Sequence, residues 1–481
     1  MGIIALSILR RIQRRPMLAL AVAAFTIGAQ GAATPTVHAS PPEGSVVESA
    51  PQGNVVIEWN RTLLAIVRST QTKQSHVHPT RNFAIMSAAV YDAVNAISRA
   101  HPVYGITLTA PRDASRPAAA ATAAHDTLVT LYPGRKAELD RQLTADLATV
   151  PAGHAKQEGI RVGSQAARGI LALRAHDGAD ALPPPYTTTG RPGDYRPTPP
   201  GLRPPEFTGW GKVTPFLLPT GHQFRPAAPP ALSSTAYVAA INEVKSVGAA
   251  HSTTRTAEQT TLAKLWTAPI QNYWYDIAQQ VALARHSDLD RSADMFALLN
   301  LTIADATIGV YDAKYTYRFW RPITAIRLAE GDPRIKRDPT WTTLVPTPPD
   351  PSYPGMHSAI STAAATVLTA FYGDRNAFTL TSPAAPGGAP PYANRYTGFS
   401  ATATEAGLSR IWGGVHTRLD HQAGNGLGAA IGRYTLGRLE LTTATPAPPP
   451  GKTPYTGPAK RLGVAVHDAE LGEIIAPAEE R

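Results

Sequence analysis

Apolar residues recur at helical spacing along most of the chain, and proline-rich stretches interrupt them. Phe83, Met86, Val90, Val94 and Ile97 form one stripe within 79–97, and 55–67 carries apolar residues near the same spacing around Trp59. The pattern predicts further helices at 116–131, 136–147, 154–175, 233–247, 256–266, 274–284, 292–329, 358–372 and 402–410. Pro117 suits a first-turn position, and Thr256 and Gln259 stand at capping-box spacing. Pro133-Gly134 and Gly373-Asp374 end the helices before them. Strand-like runs are scarce. The expectation is an all-α fold, a helical bundle with long proline-rich loops.

Two of those loops stand out. Residues 181–230 are too rich in proline for helix interiors, yet they carry Phe207, Trp210, Phe216 and Phe224, poor choices for a solvated linker. An ordered loop wrapped over the bundle is expected, of the kind that frames an active site. A second such loop spans 331–354. Residues 40–440 then read as the helical domain and 441–481 as a peripheral Pro/Thr-rich tail.

The first 39 residues differ in kind. Arg10, Arg11, Arg14 and Arg15 precede an apolar run, and Val37-His38-Ala39 offers a small-residue cleavage site before Ser40. This reads as a signal peptide, residues 1–39. The run is short for a membrane span and is broken by Gly28, Gln30 and Gly31. Export to the periplasm or the exterior is expected, with no stable membrane insertion after cleavage.

Composition narrows the function. With 481 residues, 43% of them hydrophobic, the chain can bury a large core. The net charge of +10 falls to +6 once the four signal arginines leave, and no dense basic run suggests nucleic acid as a partner. There is no cysteine, which excludes disulfides, thiolate catalysis and cysteine-held zinc or iron–sulfur centres.

The candidate chemistry centres on 314–322, Lys-Tyr-Thr-Tyr-Arg-Phe-Trp-Arg-Pro. Lys314, Arg318 and Arg321 lie at i, i+4 and i+7, one face of a continuous helix. The aromatic residues between them imply burial, and buried cations need a counter-charge. No acidic residue lies between Lys314 and Arg321, so an external anion held by those two is expected. Two later stretches, 353–358 and 409–416, add His357, Arg410 and His416. Three cations and two imidazoles suit a tetrahedral oxyanion. Pro354-Gly355 feeds a helix N-terminus, placing the backbone N–H groups of Gly355, Met356 and His357 toward an anion. Arg410 and His416 share no helical face, and Gly413-Gly414 between them suggests a bend or close backbone approach.

Other histidines offer less. His416, Asp420 and His421 form a rival metal site, but lack the cation-free surroundings a divalent metal prefers. Asp420 would instead orient an imidazole or pair with Arg418. His76 and His78 lack a third ligand, and His125 suits a structural place.

The spacing resembles the signature of the vanadium-dependent haloperoxidases, which the type 2 phosphatidic acid phosphatase superfamily shares. That signature is Lys, six residues, Arg-Pro; then Pro-Ser-Gly-His; then Ser-Arg, five residues, His. The first block (Lys314 to Pro322) and the third (Ser409-Arg410 to His416) are complete, while the middle block reads Pro354-Gly355-Met356-His357. The resemblance extends to 83–97, 215–216, 223–226 and 255–259, and covers roughly residues 50 to 440. It implies vanadate as cofactor, without haem or iron–sulfur. His416 would be its metal ligand, and Lys314, Arg321, Arg410, Gly355 and Met356 would surround its oxygens. His357 would act as acid–base toward hydrogen peroxide, with a pKa near the working pH, and halide would leave as hypohalous acid.

The same constellation serves a soluble acid phosphatase, with His416 attacking the phosphorus of a phosphate ester and His357 protonating the leaving group. A third reading, a catalytically degenerate anion-binding exported protein, follows from the altered middle block. Gly355 cannot give the hydroxyl hydrogen bond of the usual serine, so weaker vanadate affinity is expected, tightened by Gly355→Ser. Asp350 stands four residues before Pro354, where the family usually carries an aromatic residue or histidine that bears on halide choice.

Overall fold

The computed structural model describes residues 54–69, 77–383 and 391–439. The signal segment 1–39, the tail 441–481 and His76 lie outside the described residues. The described helices are α1 (Val55–Ser69), α2 (His78–Ser98), α3 (Arg116–Leu131), α4 (Lys136–Ala148), α5 (His154–Arg174), α6 (Thr235–Val247) and α7 (Ala257–Leu265), then α8 (Ile270–Ala284), α9 (Leu289–Tyr317), α10 (Pro322–Leu328), α11 (Met356–Tyr372), α12 (Phe399–Trp412) and α13 (Arg418–Leu439). One antiparallel hairpin, β1 (Phe378–Thr381) with β2 (Ala393–Tyr396), pairs Phe378 with Tyr396.

Local chemistry sets many of the boundaries. Ser115 accepts from the Ala118 N–H to start α3, and Pro117 sits in its first turn. Thr256 and Gln259 form the expected capping box at α7. His125 is held by Asp126 and Asp140 at 2.8 and 2.9 Å.

The helices pack as two groups. α2, α3 and α5 lie against one another, as do α9, α11 and α13, and α2 on α9 joins them. One apolar core runs through both groups. α9 is long and apolar enough to cross a membrane, but 94% of its most apolar window is buried inside the fold, where it serves as the central core helix. It also anchors the first proline-rich loop. Asp305 is buried in α9 and accepts the N–H groups of Phe216, Leu217 and Leu218 at 2.6, 2.8 and 2.9 Å. That loop is ordered, with Trp210, Val213, Leu217 and Leu218 buried and Phe207, Phe216 and Phe224 half-buried.

The helix expected over 292–329 is in fact two. α9 stops at Tyr317, and Arg318 takes a left-handed conformation (φ 51°) with its N–H on the Lys314 carbonyl. Arg321 is extended (φ −81°, ψ 154°), because the proline ring of Pro322 disfavours helical backbone in the residue before it. Pro322 then opens α10. Neighbouring loops hold the link 318–321: the Arg318 carbonyl accepts from Tyr195 at 2.6 Å, the Phe319 carbonyl from Ser352 at 2.8 Å, and the Trp320 N–H donates to Gly193 at 2.9 Å. Lys314, Arg318 and Arg321 therefore do not share a helix face.

Apolar spacing predicts no element over α13. Thr417 and Asp420 cap it reciprocally: the Thr417 N–H donates to Asp420 Oδ2 at 2.7 Å, and the Asp420 N–H to Thr417 Oγ1 at 3.3 Å. Gly424, Gly428 and Gly432, spaced four apart, face α11. A Cβ on Gly424 would overlap the Gly355 carbonyl oxygen, and one on Gly428 that of Ala359. This bare stripe lets the start of α11 lie directly against α13.

Candidate active site

Lys314, Arg321, His357, Arg410 and His416 all line one cavity of about 270 Å³, with Met356 beside them. They arrive from the end of α9, the residue before α10, the first turn of α11, the last turn of α12 and the turn between α12 and α13. Tyr311, Asp350 and the proline-rich segment 345–349 complete part of the wall.

Arg318 goes elsewhere. It pairs with Asp194 at 3.3 Å and lies over the Tyr186 ring at 4.4 Å.

Lys314 and Arg321 do share a counter-charge, but it belongs to the protein. Asp350 Oδ1 accepts from Lys314 Nζ at 2.8 Å and from Arg321 Nη2 at 2.6 Å. Arg321 Nε also donates to the Asp350 carbonyl at 2.8 Å, and Lys314 to the carbonyls of Pro351 and Ser352. All three side chains are buried. Burial alone would raise the Asp350 carboxyl, but Lys314 and Arg321 outweigh it and hold the pKa down to about 2. Burial lowers Lys314 to about 8, against the pull of Asp350. The expectation of an external anion as the counter-charge of this pair is thus corrected. The balancing carboxylate comes from the second proline-rich loop, beyond the 314–321 stretch that suggested an anion.

His416 is held at both ring nitrogens. Nε2 lies 3.1 Å from Arg321 Nη1, and Nδ1 lies 3.2 Å from Asp420 Oδ2. Arginine only donates, so Nε2 accepts and Nδ1 carries the proton toward Asp420. Ser352 Oγ donates to the same Asp420 oxygen at 2.7 Å. Burial first, then the Arg321 charge, lowers His416 to about 3, so the imidazole is neutral. Of the two roles open to Asp420, it takes the orientation of an imidazole, while Arg418 pairs with Glu243. His421 turns away, its Nδ1 2.9 Å from Ser358 Oγ and its Nε2 3.1 Å from Asn425. His416, Asp420 and His421 do not converge on one point.

The turn that carries His416 back over Arg410 depends on glycine. Gly414 has φ 84°, and a Cβ there would overlap the Gly248 carbonyl oxygen, so the backbones of α6's end and this turn touch. The Val415 N–H donates to the Arg410 carbonyl at 3.0 Å.

Arg410 and His357 meet at the carbonyl oxygen of Trp266, which accepts from Arg410 Nη1 at 3.0 Å and from His357 Nε2 at 3.2 Å. The Trp266 indole in turn donates to Glu405 at 2.9 Å. Arg410 Nε is buried and has no hydrogen-bond partner among the described residues. Burial, then Arg410, His416 and Lys314, holds His357 well below its ordinary pKa. This corrects the expectation of a value near the working pH. In this arrangement the ring is neutral, with its proton on Nε2 and its lone pair on Nδ1.

Gly355 lies behind the cavity wall. Its N–H donates to the Asp420 carbonyl at 2.8 Å. A Cβ at 355 would stand 3.0 Å from that carbonyl oxygen and 3.4 Å from Ser358 Oγ. A serine here would therefore crowd α13 before reaching an anion, which offsets the gain expected of Gly355→Ser.

Sequence reasoning missed Asp350 as a counter-charge and the Trp266 carbonyl as a joint. A motif search finds neither, because one is a pairing across loops and the other a backbone group. The Thr417-to-Asp420 cap was findable, since it has the spacing of a helix start.

Comparison with known proteins agrees with the resemblance read from the motifs. Residues 294–443 match the family model described as the VCPO second helical-bundle domain. The vanadium chloroperoxidase of Curvularia inaequalis is 28% identical over 200 residues, 34% of this chain. That match spans 32% of the curated relative's length. In structure, the chain is similar to the first bacterial vanadium-dependent iodoperoxidase, with TM-score 0.67 and 24% identity over 80% of this chain and 95% of that one. It is also similar to an apo-type bacterial vanadium-dependent chloroperoxidase, with TM-score 0.61 and 17% identity over 76% and 95%. The helical fold is that of these proteins.

Proposed function

We propose that this chain, with the fold of the vanadium haloperoxidases, is a vanadate-dependent peroxidase that oxidises halide with hydrogen peroxide to hypohalous acid. His416 carries the reading. It is a neutral imidazole with its Nδ1 proton committed to Asp420, which leaves Nε2 as a lone-pair donor among Lys314, Arg321 and Arg410. The donor set fits an oxyanion. Arg410 Nε is a buried donor awaiting an acceptor, and the first turn of α11 has no side-chain cap on its N–H groups. His416 would hold the metal, and Lys314, Arg321, Arg410 and the start of α11 its oxygens. Bound there, vanadate supplies a Lewis-acidic centre at which hydrogen peroxide is activated toward halide.

The chain's own residues supply the rest. Asp420 fixes the His416 tautomer. With Nε2 given to the metal, Arg321 Nη1 would be released from His416 to donate to the anion. His357, with Nε2–H on the Trp266 carbonyl, takes a proton from hydrogen peroxide at Nδ1. An anion in the cavity also offsets the positive charges that depress His357, making it a better base. The basic and apolar segment 1–39 supports export, so the oxidation would take place outside the cytoplasm.

The test is halide oxidation by metal-free protein with hydrogen peroxide, with and without orthovanadate. Activity that needs vanadate and is lost in His416→Ala is expected. Phosphate-ester hydrolysis inhibited by vanadate, without oxidation, would assign the phosphatase reaction instead. Neither activity would leave an anion-binding protein.

A further inference from the structure

We propose that Asp350 is a fixed negative charge inside the anion site and makes the site select singly charged tetrahedral oxyanions. This rests on the oxyanion reading above, though not on its peroxidase chemistry.

The loop 350–352 is built into the two cations. Asp350 gives its carboxylate to Lys314 and Arg321 and its carbonyl to Arg321, while the Pro351 and Ser352 carbonyls accept from Lys314. The Ser352 N–H is tied to the Phe319 carbonyl at 2.8 Å, and its hydroxyl to Asp420. Displacing Asp350 would leave two buried cations without their carboxylate and pull apart the link that positions them. An arriving anion therefore meets Lys314 and Arg321 already half-neutralised.

Charge counting then sets the valence. Lys314, Arg321 and Arg410 are set against two carboxylates, Asp350 in the wall and Asp420 behind His416. His416 accepts from Arg321 at Nε2 and so carries a single proton, toward Asp420, and His357 shares the Trp266 carbonyl with the Arg410 guanidinium, a place that favours the uncharged ring. Arg203 and Glu206 at the wall pair with each other. One positive charge is left over. A monoanion cancels it, whereas a dianion leaves an uncompensated negative charge in a buried site. The singly charged, doubly protonated form of orthovanadate meets this condition.

Two ions with fixed charge separate valence from shape: perrhenate, a tetrahedral monoanion, and sulfate, a tetrahedral dianion. Each is titrated into the whole protein at neutral pH and followed by calorimetry. The wild-type protein should bind perrhenate on the order of tenfold or more tighter than sulfate, as a unit charge at short range requires. In Asp350→Asn the ratio should move toward sulfate by a similar factor. An Asp350→Asn protein that folds only when sulfate is present would also support the proposal, because sulfate then replaces the missing carboxylate. A wild-type preference for sulfate overturns it whether or not the variant folds, and so does the same ratio in both proteins. A shifted ratio without vanadate-dependent halide oxidation sinks the peroxidase reading and keeps the role of Asp350. An active enzyme with an unshifted ratio does the reverse.

Discussion

Asp420 accepts the Nδ1 proton of His416 from within the first turn of α13, at 3.2 Å, with the same oxygen that caps that helix. One carboxylate thus starts a helix and fixes a tautomer. The ring orientation at the centre of the cavity is set by the backbone geometry of a helix start rather than by a flexible neighbour.

Asp420→Asn should therefore weaken vanadate-dependent activity and vanadate affinity by roughly 10–100-fold, the usual cost of losing such a supporting partner. Vanadate titration of the variant measures this directly. Affinity within twofold of wild type would mean that Asp420 only caps the helix.

The break at Arg318 makes two arginines three residues apart very unequal. Arg321→Ala should abolish oxyanion binding, because Arg321 reaches Asp350, His416 and the Val415 carbonyl. Arg318→Ala should leave oxyanion affinity within about threefold and cost about 0.5–1 kcal/mol of stability through Tyr186 and Asp194. Equal losses of affinity in a vanadate or phosphate titration would restore the single-face helix.

Acid should weaken the fold through its buried neutral histidines. Burial lowers His421 from 6.5 to about 4. Below 6.5 the unfolded chain takes up a proton that the folded ring refuses, so stability is lost as pH falls from 6.5 toward 4. Asp305, raised to about 6 by burial, works in the opposite direction. The difference between wild type and His421→Asn isolates the histidine. Urea unfolding should show wild type losing on the order of 1–3 kcal/mol relative to the variant over that window. A difference independent of pH would refute the assignment.

Gly424→Ala should act on the site from outside it. The added methyl overlaps the Gly355 carbonyl and pushes the start of α11 away from α13. Roughly 1–3 kcal/mol of stability should be lost, with weaker oxyanion binding, although residue 424 does not line the cavity. Gly426→Ala, which meets nothing within 4 Å, is the control: it should leave the anion titration unchanged and raise the melting temperature slightly, because alanine replaces an exposed glycine inside a helix.

Much of the bundle was legible because its signals are local. α3 runs over the expected 116–131, since Pro117 and Pro133-Gly134 mark its ends. Apolar periodicity carried the reading straight through 318–321, because Ile323 and Ile326 continue the pattern and only Pro322 argues otherwise. The sequence masks α13 for a related reason. Gly424, Gly426, Gly428, Gly432 and Gly437 lower its helix propensity, yet Gly424, Gly428 and Gly432 are what its packing on α11 requires. Five site residues were legible from motif spacing and do meet at one cavity. Asp350 was visible only as a position, because its partners lie far away in sequence and are brought to it by loops.

Lys314 hangs from the end of one helix and Arg321 stands before the start of another. The span between these two charges is therefore gauged by 193–195 and 350–352, not by the 1.5 Å rise of a shared helix. Scaffold and calliper are separate parts of the chain. Drift in two loops can resize the grip for a larger or smaller anion while every helix keeps its place, a freedom that a single rigid helix would not give to evolution or to an engineer.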